Sequence, residues 1–330
     1  MKVGIVGVSG FGGGELLRLV LGHPTFELAY AAGESTAGQK LSQRFPALAG
    51  RREGDIVIQL FDPANLPRLD VLFASLPTGK SREPLGKVAA SVKIVDVGGD
   101  HRFVDGWTYG LTELPGQRAK IAKSSRIANP GCYPAATLIA LAPLVHAGLI
   151  EPEGIIVDAK SGVTGTGRGG ASGFGYVETS EDIFAYGLES HPHVPEIEQA
   201  LAQVGGKRTT VAFTPHLIPM KRGLLATCYA RPKSAVTSER LYEAAHALYS
   251  AEPFVRVLAV DKGRGPHTSA ASGSNFAFVS YAVNPNTGLV MALGAVDNLG
   301  KGAASQAVQN ANLITGQDET AGLTGLPLPA

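Results

Sequence analysis

The sequence predicts an α/β protein: a doubly wound parallel sheet followed by an α+β unit whose sheet is mostly antiparallel. Three observations carry that expectation. Over residues 1–100, short continuous apolar runs alternate with helical stretches, the pattern of strands covered on both faces and joined by helices. A glycine-rich turn, Gly7-Val8-Ser9-Gly10-Phe11-Gly12-Gly13, directly follows the first run. Beyond residue 147 the strand-like runs succeed one another without a helix after each.

In chain order, strands are expected over Lys2 to Val8, Glu27 to Ala32, Asp55 to Leu60, Asp70 to Leu76 and Val92 to Val97, with a helix over Gly13 to Gly22. A short strand, Arg126 to Ala128, leads to a helix over Ala135 to Ala147, closed by His146 and Gly148 in the positions a helix end favours. The second unit offers strands over Ile155 to Lys160, Thr209 to Leu217, Leu224 to Ala230, Phe276 to Val283 and Leu289 to Val296, and a helix over Arg240 to Tyr249. Ser161 to Gly175 is rich in Gly, Ser and Thr and is expected to be a mobile loop. Lys301 to Ile314 is helical but has no evident place in the second sheet. The tail after Gly316 is expected to be extended.

Composition narrows the function classes. With 44% hydrophobic and 17% charged residues, the chain can build a sizeable core. Net charge is +1 and no run of Lys or Arg exceeds two, which argues against nucleic acid or an anionic membrane as partner. No stretch reaches the ~20 apolar residues of a membrane span. The start, MKVGIVGVSG, lacks the apolar region and cleavage site of a signal peptide. Two cysteines argue against a disulfide framework. A cytoplasmic location is the expectation.

The glycine-rich turn stands between the first strand and the first helix, where a dinucleotide diphosphate meets free N–H groups and the positive helix end. This makes the first unit Rossmann-type, with Gly7, Ser9, Gly10, Phe11, Gly12 and Gly13 as cofactor-binding candidates. After the second strand the chain offers Glu34 beside Ser35, Thr36 and Lys40. An acid there suits the ribose hydroxyl of NAD, whereas hydroxyls and a cation suit the 2′-phosphate of NADP. With Glu34 turned away, Ser35, Thr36 and Lys40 favour NADP.

Asn129-Pro130-Gly131-Cys132-Tyr133-Pro134 places a thiol at a helix start. The positive end of the helix dipole lowers a thiol's pKa there and populates the thiolate. A lone cysteine is more often a small buried hydrophobe, but the polar and turn-forming neighbours of Cys132 favour a nucleophile. Cys228, within the strand Leu224 to Ala230, fits the inert case. A thiolate beside a nicotinamide site suggests attack on an activated acyl group, a thioester, and hydride transfer to give an aldehyde. That chemistry needs a general acid/base, and eight histidines are available.

The block Asn129 to Thr137 resembles the active-site signature of the N-acetyl-gamma-glutamyl-phosphate reductase family, aldehyde-forming enzymes of arginine biosynthesis related to aspartate-semialdehyde dehydrogenase. Further blocks agree in order: Gly7 to Gly13, Val95 to Phe103, Tyr109 to Leu114, Ser161 to Arg168, His191 to Ile197, Pro215 to Gly223 and Asp297 to Ala304. The resemblance implies Cys132 as nucleophile and the His191/His193 pair as acid/base, His193 being favoured as proton shuttle. Family members usually carry Arg between these histidines; here it is Pro192. The resemblance also implies that the last helix completes the first unit, giving a nucleotide domain of residues 1–147 plus 300–330 and a substrate domain of 148–299. It implies a cofactor contact from Asn298 and a homo-oligomer, dimer or tetramer.

A substrate with a carboxylate and an acyl phosphate needs fixed cations. Arg102, Arg168 and Arg222 are the candidates, and the matching blocks add Asn129 and Gly162. His23 and His146 read as helix-end residues, His246 as a surface residue and His216 as a structural one; His267 lies in a loop whose role is unread. His191-Pro192-His193 is the nearest approach to a metal site, and two ligands are too few for zinc. The expected reaction is NADPH-dependent reduction of N-acetyl-glutamyl 5-phosphate to the semialdehyde with release of phosphate. One rival is the lysine-pathway counterpart acting on N-acyl-aminoadipyl phosphate, possibly held on a small acidic carrier protein. A rival of another class is a non-catalytic, NADP-binding redox sensor.

Overall fold

Val3, Ile5 and Val6 are buried at 0%, 0% and 1% exposure, and they lie in β1 (Lys2–Val6), an inner strand of a parallel sheet. A computed structural model describes residues 1–168 and 179–328. The chain divides into two units: Met1–Gly110 with Ala119–Pro130 and Ala303–Thr324, and Leu111–Arg118 with Gly131–Gly302 and Gly325–Ala330.

In the first unit the other strands are β2 (Glu27–Ala32), β3 (Val71–Ala74), β4 (Lys93–Asp96), β5 (Thr108–Tyr109) and β6 (Arg126–Ala128). Among the described residues they lie in the order β2-β1-β3-β4-β6-β5, and every ladder is parallel. The order reverses at β1, which opens the crevice where such sheets bind ligands, beyond the carboxyl ends of the strands. Helix α1 (Phe11–Gly22) buries Leu16, Leu17, Leu19 and Val20. His23 caps it: the ring Nδ1 accepts from Thr25 and Phe26 N–H at 3.3 and 3.2 Å, and Nε2 donates to Asn312 Oδ1 at 3.0 Å. Burial lowers the His23 pKa, so the ring is neutral in this role.

The short helices are α2 (Leu41–Arg44), α3 (Arg82–Gly86) and α4 (Gln117–Ala122). The strand expected over Asp55 to Leu60 does not form. Val57 and Gln59 make only isolated bridges to Lys40 and Ala32, and Leu60 is 67% exposed, so this segment lies at the edge beside β2 without a ladder of its own.

In the second unit, α5 (Cys132–His146) is apolar on every side, and each residue from Tyr133 to Val145 is buried. A helix without a polar face must be enclosed. It packs on β10 (Leu224–Ala230) and β13 (Val290–Val296), with α6 (His193–Gly205) and α7 (Ser238–Tyr249) beside it. The expected boundary after residue 147 is therefore corrected. The division falls at Pro130/Gly131, because α5 is the core of the second unit rather than the last helix of the first.

The sheet over α5 also contains β7 (Ile155–Gly162), β8 (Phe184–Ala185), β9 (Val211–Ile218), β11 (Val255–Val257) and β12 (Ala277–Val283). Among the described residues its order is β11-β12-β13-β10-β7-β9-β8. Four pairings are antiparallel and two, β11/β12 and β7/β9, are parallel. Burial alternates along β10, so one face meets the helices and the other stays partly open. The start of the expected mobile loop is ordered: Ser161 and Gly162 close β7, and Val163–Thr166 form a 3-10 turn. Residues 169–175 of that expectation lie outside the described residues.

The last helix, α8 (Ser305–Ile314), packs on α1 and β4 in the first unit. Its buried face is polar: Gln306 and Asn310 both donate to Gly110 O, at 3.0 and 2.8 Å. Those bonds satisfy groups that would otherwise be costly to bury.

Candidate active site

Cys132 is the first residue of α5, and Gly131 is its N-cap, extended at φ −73° and ψ 161° with no side-chain cap. The half-buried thiol therefore faces the positive end of the helix, which favours its anion. Cys228 has the opposite setting: it is fully buried in β10, and burial pushes its pKa up.

The imidazole of His193 lies directly against this turn. A Cβ placed on Gly131 would stand 2.3 Å from His193 Nε2, so only glycine admits the ring. His193 opens α6, with Pro192 as its N-cap. Three residues along, the buried carboxylate of Glu196 accepts the Gly131 N–H at 2.9 Å. One helix thus carries both the imidazole and the group that fixes the nucleophile's turn.

His191 differs from His193 in a way the sequence did not separate. Its Nδ1 accepts the His193 backbone N–H at 3.2 Å, which leaves the proton of the neutral ring on Nε2. Burial lowers its pKa to about 4. The ring is ringed by aromatic neighbours, with centroids 4.8 Å from His193, 5.0 Å from Phe213 and 5.7 Å from Tyr186. Tyr186 Oη donates to Tyr133 Oη at 3.2 Å, and Tyr133 Oη donates to His216 O at 2.9 Å. Burial pushes the Tyr186 pKa up to about 12 and that of Tyr133 higher; both hydroxyls are therefore neutral donors.

A second cluster touches Cys132 from below. A Cβ on Gly302 would lie 2.9 Å from Cys132 Cβ, and Gly302 N–H donates to Asp297 O at 2.9 Å. Buried Asp297 accepts the N–H groups of Leu299 and Gly300 on one oxygen, and Arg222 Nη1 at 3.1 Å and Gly273 N–H on the other. This arrangement fixes Arg222 beside the loop under the thiol. Lys301, in the same loop, is fully buried and paired with Glu113, equally buried.

The remaining expected residues of the second unit behave differently. Gly162 serves close backbone approach, since a Cβ would stand 2.8 Å from Met220 O. Asn298 was expected to bind cofactor. Its amide oxygen accepts Gly223 N–H at 2.9 Å and its nitrogen donates to Thr164 Oγ1 at 2.9 Å, which braces two loops. Arg168 is exposed.

In the first unit, Gly7 has φ +79°, and a Cβ there would meet Ser75 O at 2.1 Å; one on Gly13 would meet Gly7 O at 2.0 Å. The backbone is drawn together where side chains cannot fit, and α1 begins with an extended glycine and no acid in its first turn. That cradle fits a dinucleotide diphosphate. Ser9 Oγ hydrogen-bonds Thr36 Oγ1, tying the turn to the loop after β2, and Ser35 is exposed nearby in that loop. Lys40 is ion-paired with Asp55 at 2.8 Å.

Arg102 Nε donates to Asn129 O at 3.0 Å. Asn129, a substrate candidate, is fully buried, with its amide bonded to Ala303 O at 3.0 Å and to Asn310 Nδ2 at 2.9 Å. It is a structural link to α8.

Glu196, Asp297, Gly302 and Tyr186 were missed by the sequence reading. Glu196, Asp297 and Gly302 left a trace in the blocks His191 to Ile197 and Asp297 to Ala304. Among the described residues no group of three or more His, Cys, Asp or Glu could hold a metal ion, and no helix is long and apolar enough to cross a membrane.

Comparison with known proteins adds to this geometry. Residues 2–124 match the semialdehyde dehydrogenase NAD-binding domain, and residues 132–298 match the semialdehyde dehydrogenase dimerisation domain. The N-acetyl-gamma-glutamyl-phosphate reductase of Bradyrhizobium sp. strain BTAi1 is 58% identical over 329 residues, 99% of each chain. The enzyme of the same name from Salinispora arenicola is 43% identical over 98% of each chain. Among solved structures, aspartate semialdehyde dehydrogenase II of Vibrio cholerae superposes with a TM-score of 0.74 at 16% identity, over 95% of this chain and 98% of that one. The Candida albicans aspartate semialdehyde dehydrogenase with NADP gives 0.74 at 18% identity over the same shares. At these identities the solved structures share the fold.

Proposed function

Since the chain belongs to the N-acetyl-gamma-glutamyl-phosphate reductase family, we propose that it carries out this reduction through a thioester on Cys132. The substrate is a small molecule, N-acetyl-glutamyl 5-phosphate, and the products are the semialdehyde and phosphate. The observation that carries the reading is the first residue of α5: a thiol at a positive helix end, with His193 Nε2 against the residue before it.

His193 takes the thiol proton, and the Cys132 thiolate attacks the acyl carbon. The carbon–oxygen bond to phosphate then breaks, leaving a thioester and inorganic phosphate. The Gly7 to Gly13 turn would hold NADPH, which would supply a hydride to the thioester carbon. The proton held by His193 returns to sulfur as the thiohemiacetal collapses, releasing the aldehyde and restoring the thiol. His191 suits the electrophilic role, because its ring stays neutral and presents Nε2–H as a donor. Arg222, oriented by Asp297, and Arg168 are the cations proposed for the substrate's anionic groups, with Arg102 as a third.

The partly open face of the second sheet, with Ile156 at 47% exposure, suits a homodimer, and the family's location is proposed to be cytoplasmic. The longer aminoadipyl substrate and its carrier protein are not favoured, since the relatives above carry the glutamyl name.

The test is to mix the enzyme with acyl phosphate in the absence of NADPH and weigh the intact protein. A mass increase of one N-acetylglutamyl group, absent in Cys132→Ser, is expected together with one phosphate released per site. Phosphate release with no adduct would sink the covalent step. Turnover on N-acetylglutamate semialdehyde should exceed that on the one-carbon-longer aldehyde by roughly 10–200-fold.

A further inference from the structure

Lys40 was the cation expected to read a 2′-phosphate, and the structure gives it other work: it is 53% exposed and its charge is met by Asp55. A different cation reaches the turn. Arg44, the last residue of α2, is half-buried, and its Nη2 donates to Ser9 O at 3.1 Å. The guanidinium carbon lies 5.3 Å from the centre of the Phe45 ring, which holds the planar group in place. Among the described residues Arg44 makes no ion pair, so its charge is not met by any carboxylate there.

Three further groups converge at the same place. Ser9 Oγ and Thr36 Oγ1 hydrogen-bond each other. A Cβ placed on Gly33, the first residue after β2, would stand 2.8 Å from Thr36 Oγ1 and 3.0 Å from Ser9 Oγ. Two hydroxyls, a glycine gap and an unneutralised guanidinium thus meet where β2 ends and α1 begins. In this fold the adenosine ribose lies at the end of the second strand. Glu34, the acid that would suit an unphosphorylated ribose, is exposed.

We propose that Arg44, not Lys40, is the residue that selects the 2′-phosphate of the cofactor, with Ser9 and Thr36 donating beside it. The inference rests on the reading that the chain uses NADP, and it names the group that makes this so. One guanidinium N–H holds the turn through Ser9 O, and the rest of the fork faces the phosphate.

The test uses the full chain and binding rather than turnover. NADPH, NADH, adenosine 2′,5′-bisphosphate and AMP are titrated against wild type, Arg44→Gln, Arg44→Lys and Lys40→Met, with fluorescence or calorimetry as readout. Arg44→Gln is expected to weaken NADPH and the bisphosphate by about 10–100-fold, the range lost with a charge-assisted hydrogen bond. NADH and AMP should change less than about 3-fold, since they lack the phosphate. Arg44→Lys should fall between, and Lys40→Met should stay within about 3-fold of wild type throughout. Equal weakening of NADPH and NADH in Arg44→Gln would reduce Arg44 to a brace for the turn and overturn the proposal. Loss of NADPH selectivity in Lys40→Met instead would do the same. Wild type that binds neither nicotinamide would overturn the NADP reading itself, and this proposal with it.

Discussion

Helices α1 and α5 start alike and serve different ends. Each follows an extended glycine, Gly10 at φ −71° and Gly131 at φ −73°; neither has a side-chain cap, and neither has an acid in its first turn. Neither positive pole is met by an acid of its own first turn. At α1 that pole faces a cradle of backbone too tight for side chains. At α5 the first residue is a thiol, the cap's N–H is held by Glu196, and an imidazole lies against the cap. The same start therefore serves a ligand's anion in one place and the protein's own sulfur in the other. What decides is the group that tertiary structure brings to the pole.

The sharpest way to break this comparison is the sulfur. Cys132→Ser should lower turnover on the order of 10³-fold or more, with NADPH affinity unchanged by fluorescence titration. Cys228→Ser, by contrast, should cost roughly 1–3 kcal/mol of stability for a buried hydroxyl and leave kcat near wild type.

Next come the two glycine positions. Gly131→Ala forces a Cβ to 2.3 Å from His193 Nε2, and kcat should drop about 10²-fold from the displaced pair, with NADPH still bound. Gly13→Ala forces a Cβ to 2.0 Å from Gly7 O, and there the loss should appear as NADPH affinity. If both variants lost the same quantity, the two helix starts would not be doing separate jobs.

A smaller effect should separate hydrogen bonding from charge at Glu196. Glu196→Ala removes the acceptor for Gly131 N–H, worth about 1.5–3 kcal/mol, and should slow turnover about 10–100-fold. Glu196→Gln keeps an acceptor and should recover most of that rate. Equal loss in both variants would show that the carboxylate acts through its charge.

The smallest effect is in pH dependence of stability. Burial pushes the folded-state pKa of His191 down to about 4, below the 6.5 of the unfolded chain, so the unfolded state binds the extra proton first. Stability is therefore full above pH 6.5 and falls as pH drops toward 4. His191→Gln should lack this loss, narrowing the fall in Tm between pH 7 and pH 4.5 by about 2–4 °C per kcal/mol. Melting curves that run parallel would show that His191 is not held neutral by burial.

The first unit was legible because its signals are local. The run before Gly7, the glycine spacing and the apolar strands each sit within a few residues, and five of the expected strands appear close to where they were placed. Asp55 to Leu60 divides its backbone bonds between the end of β2 and residues 38–41, so no continuous ladder forms, which no window of sequence reveals. In the second unit the sequence singled out Cys132 and the two histidines, but not the residues that brace them. Glu196 and Gly302 act on the Cys132 turn across 65 and more residues of chain. The helix His193–Gly205 was hidden by Pro192 and Pro195 at its start, where proline is in fact permitted. The boundary after residue 147 misread α5, whose all-round apolar sequence already pointed to a core position. Asn129 and Asn298 were singled out as ligand contacts from their signature blocks, and their hydrogen bonds to distant parts of the chain were not legible there.

The placement of α8 has a consequence for how the chain is made. The nucleotide unit needs residues 303–324, which leave the ribosome after the whole of residues 131–302. At about 5–20 residues per second, that is a wait of roughly 10–35 s. Throughout it, Gly110 O lacks the amides of Gln306 and Asn310, and the first half of the polypeptide must stay soluble with one flank open. A nascent chain stalled before residue 303 should be cut readily by protease, and the full-length chain should resist.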